Sequence, residues 1–132
     1  SPLRERGYIG DIEMESKVFK AVTGISMTQD ELDKAGLRAF LLQRLYTMRQ
    51  LKTKDMRHVH DRYPDWIFDD AKGRAPFTKG TIRMEHDDIE KSFDLFFELM
   101  DFDVKTGAPT EKCLNEYGLA KAVPVMKKEG LL

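Results

Sequence analysis

Ile89, Phe93, Phe96, Phe97 and Met100 recur at i, i+4, i+7, i+8 and i+11, while Glu90, Lys91, Asp94, Glu98 and Asp101 fill the other side. Only an α-helix brings residues at those intervals onto one face. Asp87 and Glu90 have the spacing of a capping box, so this pattern predicts a helix from Asp87 to near Met100. The same period dominates the rest of the chain, and no stretch alternates convincingly as a half-buried strand would. The expected fold is therefore all-α, with about five to six helices.

A second helix carries a stronger start signal. Thr28 and Glu31 have capping-box spacing, and Met27 and Leu32 stand where a hydrophobic staple would close over the first turn. It is expected to reach about Met48. From Ala39 to Met48 it is apolar on nearly every side except at Gln43, Arg44 and Thr47, so we expect a central helix covered on two sides. Before it, Asp11 reads as an N-cap and Gly24 as the residue after a helix end, with Ile12, Val18, Phe19 and Val22 as the apolar stripe between. Near the end of the chain, Thr110 should cap a short helix that Gly118 stops. A last helix is expected over Leu119 to Glu129, with Lys127 and Lys128 at its negative end and Gly130 as its stop. Pro124 should either kink that helix or mark its true first turn.

The stretch from Tyr63 to Glu85 has no period. It holds Trp66, Ile67, Phe68 and Phe77 among the breakers Pro64, Gly73, Pro76 and Gly80. A connector of about 20 residues is uncommon in a compact domain unless it has a function or packs on something. Two readings stay open: it wraps this domain's own core, or it lies against further polypeptide. The chain opens Ser1-Pro2-Leu3 without Met, and from this a piece of a longer polypeptide is expected.

Composition removes several function classes. The 132 residues suit a single helical domain, residues 1–132. The 22 Lys+Arg against 23 Asp+Glu leave a net charge of -1, without the positive excess a nucleic-acid binder carries. No apolar run approaches the ~20 residues that span a bilayer, so no membrane partner is expected. Cys113, the only cysteine, excludes an internal disulfide and any metal site made of several thiolates of this chain. From it a cytoplasmic location is expected.

Candidate chemistry is sparse. In Lys54-Asp55-Met56-Arg57-His58-Val59-His60-Asp61, the two histidines would point about 200° apart on a helix and could not share one metal. His58 with Asp61, or Arg57 with Asp61, could pair across a turn. Only Asp65 is close enough in sequence to add a ligand. A salt-bridge cluster is the expected role, and a small independent enzyme built on His58, His60 and Asp61 is the least favoured. Cys113 stands near the start of the Thr110 helix but beside Leu114 and Tyr117, as a buried thiol would. No phosphate-binding glycine loop is present, and Gly107 and Gly118 read as turn residues. Charge is segregated: Arg44, Arg49, Lys52, Lys54, Arg57 and Arg62 outnumber Asp55 and Asp61, while Glu85 to Asp103 is acidic apart from Lys91. The two runs either attract one another as solvated faces or offer residues 44–62 to an acidic partner, as a stand-alone helical interaction module would.

Several segments taken together resemble a known family. Ala21-Val22-Thr23-Gly24, then Asp30-Glu31-Leu32, then Gly36-Leu37-Arg38-Ala39-Phe40-Leu41-Leu42-Gln43-Arg44 is similar to the "TGW…EEL…GERI.NLERAFNVR" region of tungsten-dependent aldehyde ferredoxin oxidoreductases. Phe93 to Asp103, Thr106-Gly107-Ala108-Pro109-Thr110 and Glu116-Tyr117-Gly118-Leu119 resemble that family's closing "YYELRGWD…GIPTREKLEELGL". The two blocks keep the family's order and similar separation. Leu37 and Ala39 replace the usual Glu and Ile. The segment from Lys54 to Phe68 looks more like a divergent branch that includes the tungsten subunit of benzoyl-CoA reductases.

The resemblance implies a parent enzyme with tungsten between two pterin dithiolenes beside a [4Fe–4S] cluster. Such a parent oxidises aldehydes to acids or performs a related two-electron step, exchanging electrons with ferredoxin or another redox partner. The cluster ligands would lie upstream, in a CxxCxxxC group and one later cysteine, and Cys113 matches none of them. Hence no catalytic, cofactor-binding or metal-binding residue is carried over, and no cofactor is expected in this piece. Its implied role is that of a C-terminal helical domain packing on the N-terminal remainder of the same polypeptide.

Overall fold

The structure, a computed structural model, describes residues 10, 11, 13–68 and 85–132. Ile12, the side chain of Trp66, and Gly73, Pro76, Phe77 and Gly80 of the aperiodic stretch lie outside the described residues. Among the described residues there are six α-helices and no strand: α1 (Met14–Thr23), α2 (Gln29–Leu51), α3 (Met56–Val59), α4 (His86–Leu99), α5 (Glu111–Glu116) and α6 (Val123–Lys128). Short 3-10 turns cover Asp65–Ile67 and Ala120–Ala122, and Phe102 and Pro109 form an isolated antiparallel bridge. The all-α expectation holds. The chain divides into two compact units, Ser1–Phe40 and Leu41–Leu132, with the boundary inside α2.

In the first unit, Asp11 is not the N-cap. α1 begins at Met14 with Glu13 at the cap position, and the Asp11 carboxylate accepts the Glu13 N–H at 2.9 Å and an ion pair from Lys17 at 2.7 Å. Asp11 thus takes a backbone donor as expected, but in the turn that precedes the helix. Gly24 closes α1 in the left-handed region, φ 73°, its N–H bonding the Lys20 carbonyl at 2.8 Å. The expected apolar stripe is not covered, since α1 has no buried residue and Val18 and Val22 are exposed. The Thr28–Glu31 box forms in both directions: Glu31 accepts the Thr28 N–H at 2.8 Å and Thr28 Oγ1 accepts the Glu31 N–H at 3.2 Å.

Among the described residues, the buried core lies in the second unit. Leu41, Leu45 and Met48 of α2 meet Met56, Phe97, Phe102, Leu114, Val123, Met126 and Leu131 in one buried cluster. α2 runs to Leu51, past its expected end, and is covered on one side rather than two. Leu41, Arg44, Leu45 and Met48 are buried at helical intervals, whereas Leu42, Leu51 and Tyr46 (58% exposed) are not.

α4 starts at His86, one residue before its expected start, and the Asp87–Glu90 box does not form. With Glu85 at the N-cap, Glu90 lies too far into the helix to reach back, and its carboxylate binds Arg57 instead. Phe97 is fully buried and Ile89, Phe93 and Met100 are half-buried, but Phe96 stays partly exposed and packs edge-on against Phe102 at 6.1 Å.

The expected last helix resolves into the Ala120–Ala122 turn and α6, with Pro124 in the first turn of α6. There its missing N–H costs nothing, so no kink is needed. Thr110 caps α5 as expected, accepting the Cys113 N–H at 3.1 Å and donating to the Asp101 carbonyl at 2.8 Å. Thr110→Ala should lower stability by about 1 kcal/mol, read as a shift in urea midpoint at unchanged slope.

Candidate functional site: an arginine-anchored polar cluster

The second unit's charged cluster is built from the loop after α2. Lys52 adopts φ 53° and Thr53 bonds back to the Met48 carbonyl at 3.2 Å, ending α2. Asp55 caps the single turn of α3 by accepting the His58 N–H at 3.2 Å. Met56 is buried beneath that turn, and the Arg57 N–H donates to the Thr106 carbonyl at 2.9 Å. These bonds pin α3 against the loop between α4 and α5.

Two arginines organise the cluster. Arg44, with its side chain only 6% exposed, donates through Nε (2.9 Å) and Nη2 (2.7 Å) to the Gly107 carbonyl. It also forks onto Asp61, through Nη1 to Oδ1 at 3.2 Å and through Nη2 to Oδ2. Its guanidinium lies 5.2 Å from the Phe102 ring centre and 5.8 Å from that of Phe97, which adds a cation–π attraction. Arg57 donates through Nη1 to Asp94 at 2.6 Å and to the Val104 carbonyl at 2.7 Å, and it pairs with Glu90. A buried guanidinium needs most of its five donors bonded, and both side chains meet that requirement.

The expected pairings of the histidine stretch are rearranged. His58 bonds Asp55 (2.7 Å) and His60 bonds Asp61 (3.0 Å), so neither His58 nor Arg57 takes Asp61. Asp61 holds the Arg44 fork and His60, while Asp55, the N-cap of α3, takes both the backbone N–H and the ring of His58. Burial pushes the Asp61 carboxyl up, but the hydrogen bonds from Arg44 and His60 outweigh it and hold the group below the usual carboxylate range. A cleft of about 330 Å³ runs beside this cluster, lined in part by Arg57, His58, Asp61, Arg62, Asp65 and His86. His60 does not line it, and Asp61 is engaged in ion pairing, so the three residues of the enzyme reading, His58, His60 and Asp61, do not converge on one cleft. Among the described residues, no group of three or more His, Cys, Asp or Glu is placed to hold a metal ion.

The basic and acidic runs meet through Arg57, and two further bases of the run pair elsewhere in the unit. Arg57 bridges to Glu90 and Asp94, Arg44 to Asp61, and Arg49 to Glu129 at 2.8 Å. Three of the six bases proposed for an acidic partner are thus committed internally. The Arg49–Glu129 pair is exposed on both sides, so solvent screens it.

Cys113 is fully buried, and its thiol is pushed up to about 11, by burial first and then by Asp101 and Glu116. Such a thiol is protonated at neutral pH and a poor nucleophile. Iodoacetamide at pH 8 should leave the folded chain unlabelled and modify Cys113 once urea unfolds it.

The Arg44–Gly107 link was not legible from motifs. The only signal was an arginine at position 44 in register with Leu41, Leu45 and Met48. Its partner is a backbone carbonyl, 63 residues away.

Arg44 ends the first of the two motif blocks and Gly107 lies in the second, so segments distant in sequence close on one another through two hydrogen bonds. A family model described as "Aldehyde ferredoxin oxidoreductase, domains 2 & 3" matches residues 3–119. The chain belongs to the aldehyde ferredoxin oxidoreductase family. No solved structure matches it. The family's domain numbering implies a larger polypeptide with other domains, and an oxidoreductase as parent.

The residues present do not fit the iron–sulfur cluster that the resemblance attaches to such a parent. A [4Fe–4S] centre takes four thiolates, and this chain supplies one cysteine, buried at the start of α5 and held as a thiol. No helix among the described residues is long and apolar enough to cross a membrane.

Proposed function

We propose that this chain is the C-terminal helical domain of an aldehyde ferredoxin oxidoreductase-type enzyme, packing on a cofactor-bearing N-terminal remainder without catalysing the reaction itself. The parent would oxidise aldehydes to carboxylic acids, or perform a related two-electron step. Tungsten held by two pterins and a [4Fe–4S] cluster would supply the redox chemistry, with electrons passing to or from ferredoxin or another redox partner in the cytoplasm. On this reading no residue of residues 1–132 is catalytic, cofactor-binding or metal-ligating.

The family match over residues 3–119 carries the proposal. The solitary, buried Cys113 supports a non-catalytic role. The uncovered side of α2 supports packing: Leu42 and Tyr46 border, with Val125 and Met126 of α6, an apolar groove of about 180 Å³. Apolar surface of this kind is stabilised when another protein surface removes it from water.

Two experiments test the reading. The natural reading frame upstream of Ser1 should encode a CxxCxxxC group, and a start codon directly before Ser1 would refute the assignment. A Val125→Cys substitution should be labelled quickly by a maleimide in the 132-residue chain and slowly in the full-length polypeptide, with Cys113 silent in both. Equal labelling in the two would remove the groove from any packing role.

A further inference from the structure

We draw no further inference here: the strongest candidate, the apolar groove between α2 and α6 lined by Leu42, Tyr46, Val125 and Met126, already belongs to the packing role proposed above, and nothing in the structure shows what else would cover it.

Discussion

Replacing Asp61 by Ala is expected to destabilise the unit formed by residues 41–132 by about 3–5 kcal/mol, the range for breaking a buried ion pair on one side. The side chains of Arg44 and Asp61 are only 6% and 14% exposed, so the guanidinium left behind recovers only part of its lost bonds from water entering by the cleft that Asp61 borders. Asp61→Asn should cost less, because a neutral acceptor remains. Replacing both partners by apolar residues, Arg44→Met with Asp61→Leu, should recover part of the loss but not all. That double change also strips the Gly107 carbonyl of both its Arg44 donors and removes the cation held against Phe97 and Phe102. Urea unfolding of the wild type, Arg44→Met, Asp61→Leu and the double variant would show it as non-additivity.

The same pair sets an acid dependence. The Asp61 carboxyl is held below its ordinary value of 3.8 in the folded chain, so the folded state favours the ionised form more than the unfolded state does. Its stabilising contribution is complete above the unfolded value and is lost as pH falls through the folded one. Stability measured from pH 6 down to pH 2 should therefore fall below about pH 4, and Asp61→Asn should flatten that fall. An unchanged slope in the variant would mean that other carboxylates dominate acid unfolding.

Gly107→Val should be nearly as damaging, at about 2–5 kcal/mol. Gly107 adopts φ 71°, a left-handed conformation that costs an L-residue about 1–2 kcal/mol. Space is the second obstacle. A Cβ here would lie 2.9 Å from Arg44 Nη2, 2.9 Å from Phe97 Cζ and 3.3 Å from the Arg57 backbone nitrogen. Arg44 and Phe97 are both fixed by packing, so relief requires the 103–107 turn to move, and overpacking of this kind costs about 1–3 kcal/mol. Because that turn carries the acceptor for Arg44, the ion-pair cluster should loosen with it. Gly24→Ala offers a contrast: Gly24 shares the positive φ, at 73°, but no atom lies within 4 Å of its added Cβ, so only the conformational cost applies.

Local signals were readable where the partners are close in sequence. The Thr28–Glu31 box, the Thr110 cap, the Gly24 and Gly130 stops and the Pro124 first turn all rest on contacts within a few residues. Each is fixed by backbone geometry that the neighbouring side chains dictate. Where two local signals competed, the long-range partner decided. Asp87–Glu90 had box spacing, but Arg57 took the Glu90 carboxylate and α4 started one residue earlier. Asp61, likewise, went to Arg44 on another helix and to His60, and His58 paired with Asp55. Ile12, the Trp66 side chain and residues 69–84 fall outside the described residues, so the two readings of the aperiodic stretch both stand.

The order of the longer helices, the Thr28 and Thr110 caps and the kinship with aldehyde ferredoxin oxidoreductases were already written in the chain, because period and capping are short-range properties and motif order survives without coordinates. Tertiary structure alone decided which apolar side of α2 is buried, which carboxylate each arginine holds, and that Gly107 serves as an acceptor as well as a turn. Those outcomes depend on burial, which makes an ion pair or a steric overlap strong only when water is excluded, and burial is settled by residues far apart in sequence.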